Sequence, residues 1–592
     1  MKTSDAGSSA EGIDDRSQFG LPLVVAVTGH RDLVPGEVPA IRQRVRDLFT
    51  DLSSRAGERN LRVMSPLAEG ADRLVAEEAL ALGLELIVPL PMPRELYALD
   101  FEDEDSAGEF NRLAARASEL YELPLAAGVT QDQLRNSGEA RARQYAQLGV
   151  FLCAHCHILL ALWDGKPSDE LGGTGQIVRF HHDDIMPGYA KASVASQQML
   201  VDDESDLVYH IVCSRLRAEG APPPDLQPLD WWWFTKDRDH PRSKELPRQH
   251  RMIFARSSEF SHDSLRFAES IEKEKYPLLD NEASSHLPAG LEKINRLFCI
   301  ADWLAIHYQK RTLAAFRVTH VLAFFMGLMF LLYSDMAALQ YFMFAFLLFF
   351  LCAAAVQFVA TRQAWHRKYL DYRALAEGLR VQFYWAAAGV NSDSISKFAH
   401  DNFLQTQDPE LGWIRNVMRV AGTRCDAEPA ASPEGLAFVL REWIGDTDSG
   451  QLGYFRKKGL ERIRKNRITE RLAKLSLLAS VIVIASMVVA GSFMSAELRD
   501  GLMIGMGSVL LLFGIRQAYA HSTAEKELIK QYEFMLRIFH NARRRLGNAT
   551  DSAEQRQILR ALGGSALDEH AEWILMHRDR SLDQGEIWRM GS

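Results

Sequence analysis

Apolar residues are segregated along the chain, and the second half holds four runs of them, at 318–333, 337–360, 475–494 and 501–515. None of the four contains an Asp, Glu, Lys or Arg. The second run is long enough to cross a hydrocarbon core, and the first needs a turn from 314–317. The last covers only about 22 Å as a helix, so it must recruit flanking residues or thin the bilayer. Short connectors, Ser334 to Met336 in one case and 495–500 in the other, join the runs into two predicted hairpins. The first half is patterned differently. Short apolar runs at 22–27, 61–64, 84–90, 156–163 and 207–213 alternate with helix-like stretches such as 41–55 and 65–83. The stretch at 65–83 offers Leu74, Ala76, Ala79 and Leu80 to an apolar helical surface. Strands alternating with helices predict an α/β fold with a mostly parallel sheet, placed before an α-helical membrane domain.

Charge supports the spans and orients them. Lys310, Arg311 and Arg317 precede the first run, and Arg362, Arg367 and Lys368 follow the second. Arg462, Arg464, Lys465, Arg467, Arg471 and Lys474 precede the third, and Arg516 follows the fourth. The connectors carry Asp335 in one case and Glu497, Arg499 and Asp500 in the other. By the positive-inside rule both connectors face outward, and the large segments and both termini are cytoplasmic. Without a mid-membrane Asp, Glu, Lys or Arg, the spans are poor material for a transporter or proton pump. Gly501-x-x-x-Gly505, Ala485, Ala490, Gly491 and Ser492 suit close helix packing, or equally an ordinary lipid-facing helix. The two hairpins exit into similar letters, TRQAW at 361–365 and IRQAY at 515–519, and each then enters a charged helical stretch, which predicts a duplication.

In a parallel sheet, ligands bind beyond the carboxyl ends of the strands, and that rule sorts the polar residues. Gly29, His30 and Arg31 leave the first strand; Ser65, Glu69, Gly70, Asp72 and Arg73 follow the second. Asp164 and Gly165 end CAHCHILLALWDGK, at 153–166, and Gly172, Gly173 and Thr174 come shortly after. Successive glycines permit close backbone approach, and exposed amides at a helix start receive phosphate. Glu69 or Asp72 suits ribose hydroxyls, and Arg31 or Arg73 suits a phosphate through a bidentate fork. Each also has a structural reading, as loop glycines and inter-loop ion pairs. Neither a Walker A motif nor G-x-G-x-x-G occurs at the glycine cluster.

These residues carry a resemblance. Gly29-His30-Arg31, SPLAEGADR at 65–73 and LLALWDGK at 159–166 followed by Gly172-Gly173-Thr174 resemble the SLOG superfamily over roughly residues 20 to 235. The spans and the helices after them resemble the two-transmembrane effector modules associated with such sensors, over roughly 290 to 592. The resemblance implies a Rossmann-like domain that binds a nucleotide or a cyclic nucleotide-like messenger, often in bacterial antiphage defence. It further implies a homo-oligomeric membrane effector, a messenger-producing enzyme as a partner, and a bacterial inner membrane location. No other cofactor and no nucleic acid is implied. Where family hydrolases carry a proline before the glycines and a glutamate after them, this chain has Leu171 and Gln176 to Arg179, which weighs against catalysis. Glu69 could still serve as a base, so a membrane-tethered nucleotide hydrolase stays open, as does a passive membrane-anchored interaction module.

The remaining features are read briefly. A net charge of -9 gives no general attraction to nucleic acid. Six cysteines in 592 residues are too few for a disulfide framework. Cys153, Cys156, His157, and His155 or the 181–184 His/Asp cluster have the chemistry of metal ligands, but a strand beginning at Cys156 would send Cys156 and His157 to opposite faces, so no metal is expected. The Pro-rich segment 221–248 argues against a regular element; its Trp231 to Trp233 triplet suits packing at the sheet edge, contact with another subunit, or stacking on a base. The expected divisions are a disordered lead-in at 1–20 without signal-peptide character, a sensor domain at 21–235, and a linker with coupling helices at 236–309. A first hairpin with its cytoplasmic helix at 310–400, a connecting region at 401–470 and a second hairpin with helices at 471–592 complete them.

Overall fold

A computed structural model of the chain describes residues 19–56, 59–136, 138–183, 185–189, 206–235, 241–279, 287–335, 340–390, 411–428, 432–490 and 493–582. The chain divides into two compact units, Met1–Ala301 with Leu375–Phe438 and Asp302–Ala374 with Val439–Ser592. Its strands are β1 (Leu23–Gly29), β2 (Leu61–Met64), β3 (Glu85–Leu90), β4 (Glu119–Glu122), β5 (Ile158–Trp163), β6 (Val208–Val212), β7 (Trp231–Phe234) and β8 (Arg242–Ser243). The longer helices begin with α1 (Val38–Ala56), α2 (Ala71–Ala81), α3 (Glu104–Ala114), α4 (Gly138–His155), α5 (Thr174–Asp183), α6 (Arg248–Arg266) and α7 (Leu291–Asp335). They continue with α8 (Gln340–Arg362), α9 (Trp365–Ala388), α10 (Gly412–Ala421), α11 (Gly450–Ala490), α12 (Ala496–Ser522), α13 (Glu525–Asn548) and α14 (Ser552–Leu582).

The first unit is a mixed α/β domain on one sheet of spatial order β4-β3-β2-β1-β5-β6-β7-β8. Strands β1 to β6 run parallel, and β7 and β8 are antiparallel additions at one edge. Every residue of β5 is buried, as a parallel strand with both faces covered requires. Leu23, Val25, Val27, Leu160 and Leu162 face a core shared with α1, α2 and α3, while Val24, Ala26, Leu159 and Ala161 face a second core shared with α4 and α5. Strand order reverses between β1 and β5. A crevice opens at such a reversal because the connections leave β1 and β5 toward opposite faces.

Three expectations are corrected. Trp231–Phe234 is a strand, paired antiparallel with β6, although its surroundings are proline-rich. The prolines all lie outside the four paired residues, so no ladder donor is lost, and Tyr209 stacks on Trp231 at 5.4 Å between ring centres. β5 starts at Ile158 because α4 continues to His155, so Cys156 packs in the same core as Leu159 rather than beside Ile158. The segment after 401–410, a stretch outside the described residues, is more than a connection. All ten residues of α10 are buried within the α/β unit, with Trp413 5.6 Å from Phe260 of α6.

The second unit is a helical, membrane-spanning domain. α7, α11 and α12 each carry an apolar stretch long enough to cross a membrane, and so does the chain from α8 onward; at most 6% of each stretch is buried inside the protein. Phe344 is 66% exposed and Val488 81%, an apolar surface that requires lipid. The fourth span is not short: its 27 residues give about 40 Å, because both polar flanks extend the helix. Residues 337–339 and 491–492 of the expected runs lie outside the described residues. α7 and α12 pack closely. A Cβ on Gly327 would stand 2.6 Å from Leu511, and one on Gly507 2.5 Å from Leu331, whereas Gly501 and Gly505 have nothing within 4 Å.

The two halves of this unit share a local device. α8 is separated from α9 by Ala364 at φ 50, and α12 from α13 by Ala524 at φ 48. Each alanine donates its N–H to the carbonyl three residues back, Thr361 and His521, at 3.0 Å. The helices that follow both have 24 residues. The matching Arg-Gln-Ala letters are out of register with this device, since Ala364 forms the first break but Ala518 lies within α12.

Candidate functional site

A cavity of about 490 Å³ lies where the strand order reverses. Its floor is Gly29, His30 and Arg31 after β1, and Asp164 and Lys166 after β5; Gly172, Gly173 and Thr174 at the start of α5 form one rim. Asp72 in the first turn of α2, Tyr97, Tyr145, and Arg215 after β6 complete the wall. Two glycines make this convergence possible. Gly70 has φ 78, and a Cβ there would stand 2.2 Å from the Arg31 carbonyl oxygen. Gly172, also at φ 78, would place a Cβ 2.9 Å from the Ala146 nitrogen. Any other residue at either position would force the loops apart.

Two backbone amides at the cavity are uncommitted, and Arg31 has no carboxylate partner. Gln176 and Ile177 donate to the Gly173 carbonyl at 3.0 Å, while the amides of Thr174 and Gly175 have no acceptor among the described residues. They sit at the positive end of α5. Arg215 pairs with Asp32 at 2.8 Å, Arg141 with Asp100 at 2.6 Å, and Lys166 donates to the Glu219 carbonyl at 2.7 Å. Arg31 lies 5.4 Å over the Tyr145 ring and hydrogen-bonds to that side chain, and no carboxylate among the described residues is within ion-pair reach of it. Together the two amides and Arg31 offer donors and positive charge to an anion.

Two carboxyls at the cavity are pushed in opposite directions. Asp72 is 5% exposed, and its Oδ1 has no hydrogen-bond partner. Burial raises its pKa to about 7, against the pull of Arg31, the Ala68 amide and Arg73. Burial also opposes ionisation of Asp164, but the His30 ring and the Lys166 amide outweigh it and hold this carboxyl below its usual range. His30 Nε2 stands 3.1 Å from the Asp164 N–H and 3.2 Å from Asp164 Oδ1. Both contacts cannot be hydrogen bonds of one ring state: a neutral Nε2 accepts from the amide, and a protonated one donates to the carboxylate.

Five expected site residues stand outside the cavity lining. Ser65 is fully buried and donates to the Asp72 carbonyl at 2.9 Å, fixing the turn that presents Asp72. Arg73 donates to the carbonyls of Leu67 at 3.1 Å and Ser106 at 2.9 Å and pairs with Glu109 at 2.9 Å. Glu69 accepts from the Glu102 amide at 3.0 Å and from the Ser106 hydroxyl, which ties it to the α3 side. Gly70 supports the Arg31 loop, and Gly165 lines a neighbouring cavity of about 480 Å³. Tyr97, Asp100, Arg141, Tyr145, Lys166 and Arg215 line the site without having been named as site residues. Lys166 and Arg215 carried a signal, since they follow the carboxyl ends of β5 and β6.

No known family profile matches the chain, and no curated protein matches it. The geometry alone therefore carries the functional reading.

The Cys/His letters do structural work. Among the described residues, no three His, Cys, Asp or Glu side chains are grouped so as to hold a metal ion, and Asp184 lies outside those residues. The His157 ring accepts from the Val24 N–H at Nδ1, 2.8 Å, and places Nε2 3.1 Å from the Asn416 carbonyl, to which it donates as the neutral Nε2–H tautomer. Burial, aided by Arg59, pushes its pKa down to about 3. The His155 Nδ1 lies 2.7 Å from the Arg419 carbonyl. These two histidines pin α10 to the strand edge, and the lone pair a metal would need on His157 is already used.

Proposed function

We propose that the chain senses a nucleotide-derived messenger and couples its binding to an oligomeric membrane effector that forms a pore or disrupts the bilayer. The observation that carries this reading is the meeting of the Thr174 and Gly175 amides with Arg31 in one cavity at the strand reversal. Two backbone donors, a helix N-terminus and a guanidinium without a carboxylate partner match a phosphate group. The buried, unpartnered Oδ2 of Asp164 suits a ribose hydroxyl. A cavity of about 490 Å³ has the volume of a nucleotide-sized ligand site.

The effector half of the proposal rests on the four apolar helices. Their runs at 318–333, 337–360, 475–494 and 501–515 contain no Asp, Glu, Lys or Arg to line a pore, so several copies must assemble for flux. The two helix pairs act as hairpins in a bacterial inner membrane, with cytoplasmic termini, as the flanking cations favour. For a ligand to shift the membrane state tenfold it must prefer one state by about 1.4 kcal/mol. The setting proposed is antiphage defence, with the messenger supplied by a separate enzyme. Titrating purified protein with nucleotides while following both binding and leakage from liposomes tests the coupling; binding without leakage would sink it.

A second reading is favoured by one observation. Carboxyls displaced in opposite directions, Asp72 upward and Asp164 downward, are the arrangement of an acid and base pair. A tethered nucleotide hydrolase would then use Asp72 rather than Glu69. Turnover abolished by Asp72→Asn with binding retained would establish it.

A further inference from the structure

The cations that precede the two long spans are used differently. Three of the cations flanking the first pair of spans are engaged within the chain: Arg311 lies 5.6 Å over the Trp365 ring, Arg367 pairs with Asp371 at 3.1 Å, and Lys368 lies 5.1 Å over Tyr308. On α11, by contrast, Arg464, Arg467, Arg471 and Lys474 are all exposed. None of the four has an ion-pair or side-chain hydrogen-bond partner among the described residues. Their spacing of three, four and three residues sets them on one stripe of the helix. Exposed Ile468, Leu472 and Leu475 flank that stripe. Neighbouring acids do not neutralise it, because Glu461 is taken by Lys458 and Lys465, and Glu470 is approached by Lys526 at 3.8 Å.

We propose that this stripe docks on anionic phospholipid headgroups of the leaflet through which α11 enters the membrane. Charge complementarity selects that occupant: four unpaired cations, with apolar side chains between them, lead directly into an apolar run that starts at 475. Helix geometry grades the contact. With Lys474 at the hydrocarbon edge and the helix upright, Arg471 lies about 4.5 Å below it, Arg467 about 10 Å and Arg464 about 15 Å. The headgroup layer is about 5–7 Å deep, and screening at physiological salt has a length of about 8 Å. Lys474 and Arg471 therefore reach the headgroups directly, Arg467 is felt through solvent, and Arg464 contributes least.

The test uses the full chain, reconstituted in nanodiscs of phosphatidylcholine with increasing phosphatidylglycerol, and lipid retention is read by native mass spectrometry after release. The expected result is preferential retention of phosphatidylglycerol, falling with salt. Arg471→Gln with Lys474→Gln should lower that preference by about 25-fold, at about fivefold per charge. Arg464→Gln with Arg467→Gln should lower it less than fivefold. Arg471→Lys keeps the charge and should retain the preference, which separates lost charge from lost folding. Equal retention of the two lipids, or an unchanged preference in the Arg471/Lys474 variant, would overturn the proposal. An equal effect of both double variants would also overturn it, and would point instead to an acidic protein surface lying along the whole stripe.

Discussion

Asp72→Asn should stabilise the ligand-free protein at pH values above about 7. Asp72 is buried, its Oδ1 is unpartnered, and its pKa is raised from 3.8 to about 7 by desolvation. Between those values the folded state binds a proton that the unfolded state has released, so stability falls as pH rises from about 4 to about 7. The full difference corresponds to at most about 4 kcal/mol and is present at every pH above 7. Asparagine keeps the shape and the acceptor for the Ala68 amide but carries no charge, so it removes this penalty. His157 acts with the opposite sign. Its pKa is lowered to about 3, so the stability it contributes is complete above about 6.5 and is lost as pH falls. The two windows overlap, and a wild-type pH profile alone would partly cancel. The assay is therefore the difference between wild type and Asp72→Asn, measured by thermal unfolding of the solubilised full chain at pH 4 and pH 8.5. Hydrogen exchange across β2 and α2 supplies the local readout. The variant should melt several degrees higher at pH 8.5 and match wild type at pH 4, with slower exchange at the higher pH. A variant less stable than wild type at pH 8.5 would refute the claim that desolvation dominates at Asp72.

The other predictions are smaller in scope. Ala364→Gly and Ala524→Gly should each stabilise by about 1 kcal/mol in thermal unfolding, because glycine accepts the left-handed conformation that alanine resists, while valine at either position should destabilise. Gly507→Ile should cost about 1–3 kcal/mol by driving a side chain into Leu331, whereas Gly501→Ile should leave a single chain's stability unchanged. Elemental analysis of the purified protein should find no stoichiometric zinc; one zinc per chain would overturn the packing role given to Cys153, Cys156 and the two histidines beside them.

Much of the α/β domain was legible because β1 and β5 are apolar runs buried along nearly their whole length, and β2, β3 and β6 are short runs that each hold a single charged residue or histidine among apolar neighbours. β4 was not legible, because Glu119–Glu122 is an edge-side segment with only Tyr121 buried. β7 was hidden by the prolines around it, although none falls on a paired residue. α10 was hidden for another reason: its arginines look like surface charge, yet Arg419 pairs at 3.0 Å with Asp206, both 1% exposed. Of the residues sorted by the strand-end rule, Gly29, His30, Arg31, Asp164 and Gly172 to Thr174 line the cavity. That rule could not rank residues within the β2 to α2 loop. Ser65, Glu69, Asp72 and Arg73 are equally polar in sequence, and only the turn at Gly70 decides that Asp72 faces the cavity while Arg73 turns toward Ser106 and Glu109. The aromatic wall of Tyr97 and Tyr145 comes from helices distant in sequence, where spacing carries no signal.

The central claim is that ligand binding at the Arg31 and Gly172 to Thr174 cavity drives the membrane unit. Its most direct test is ion or dye release from liposomes containing the purified full chain, with nucleotides and cyclic nucleotides added on the side of the α/β domain. Binding to that side should trigger release with a dose dependence matching occupancy, and Arg31→Ala should abolish both together. Tight binding that releases nothing at any occupancy, or release indifferent to Arg31→Ala, would contradict the account.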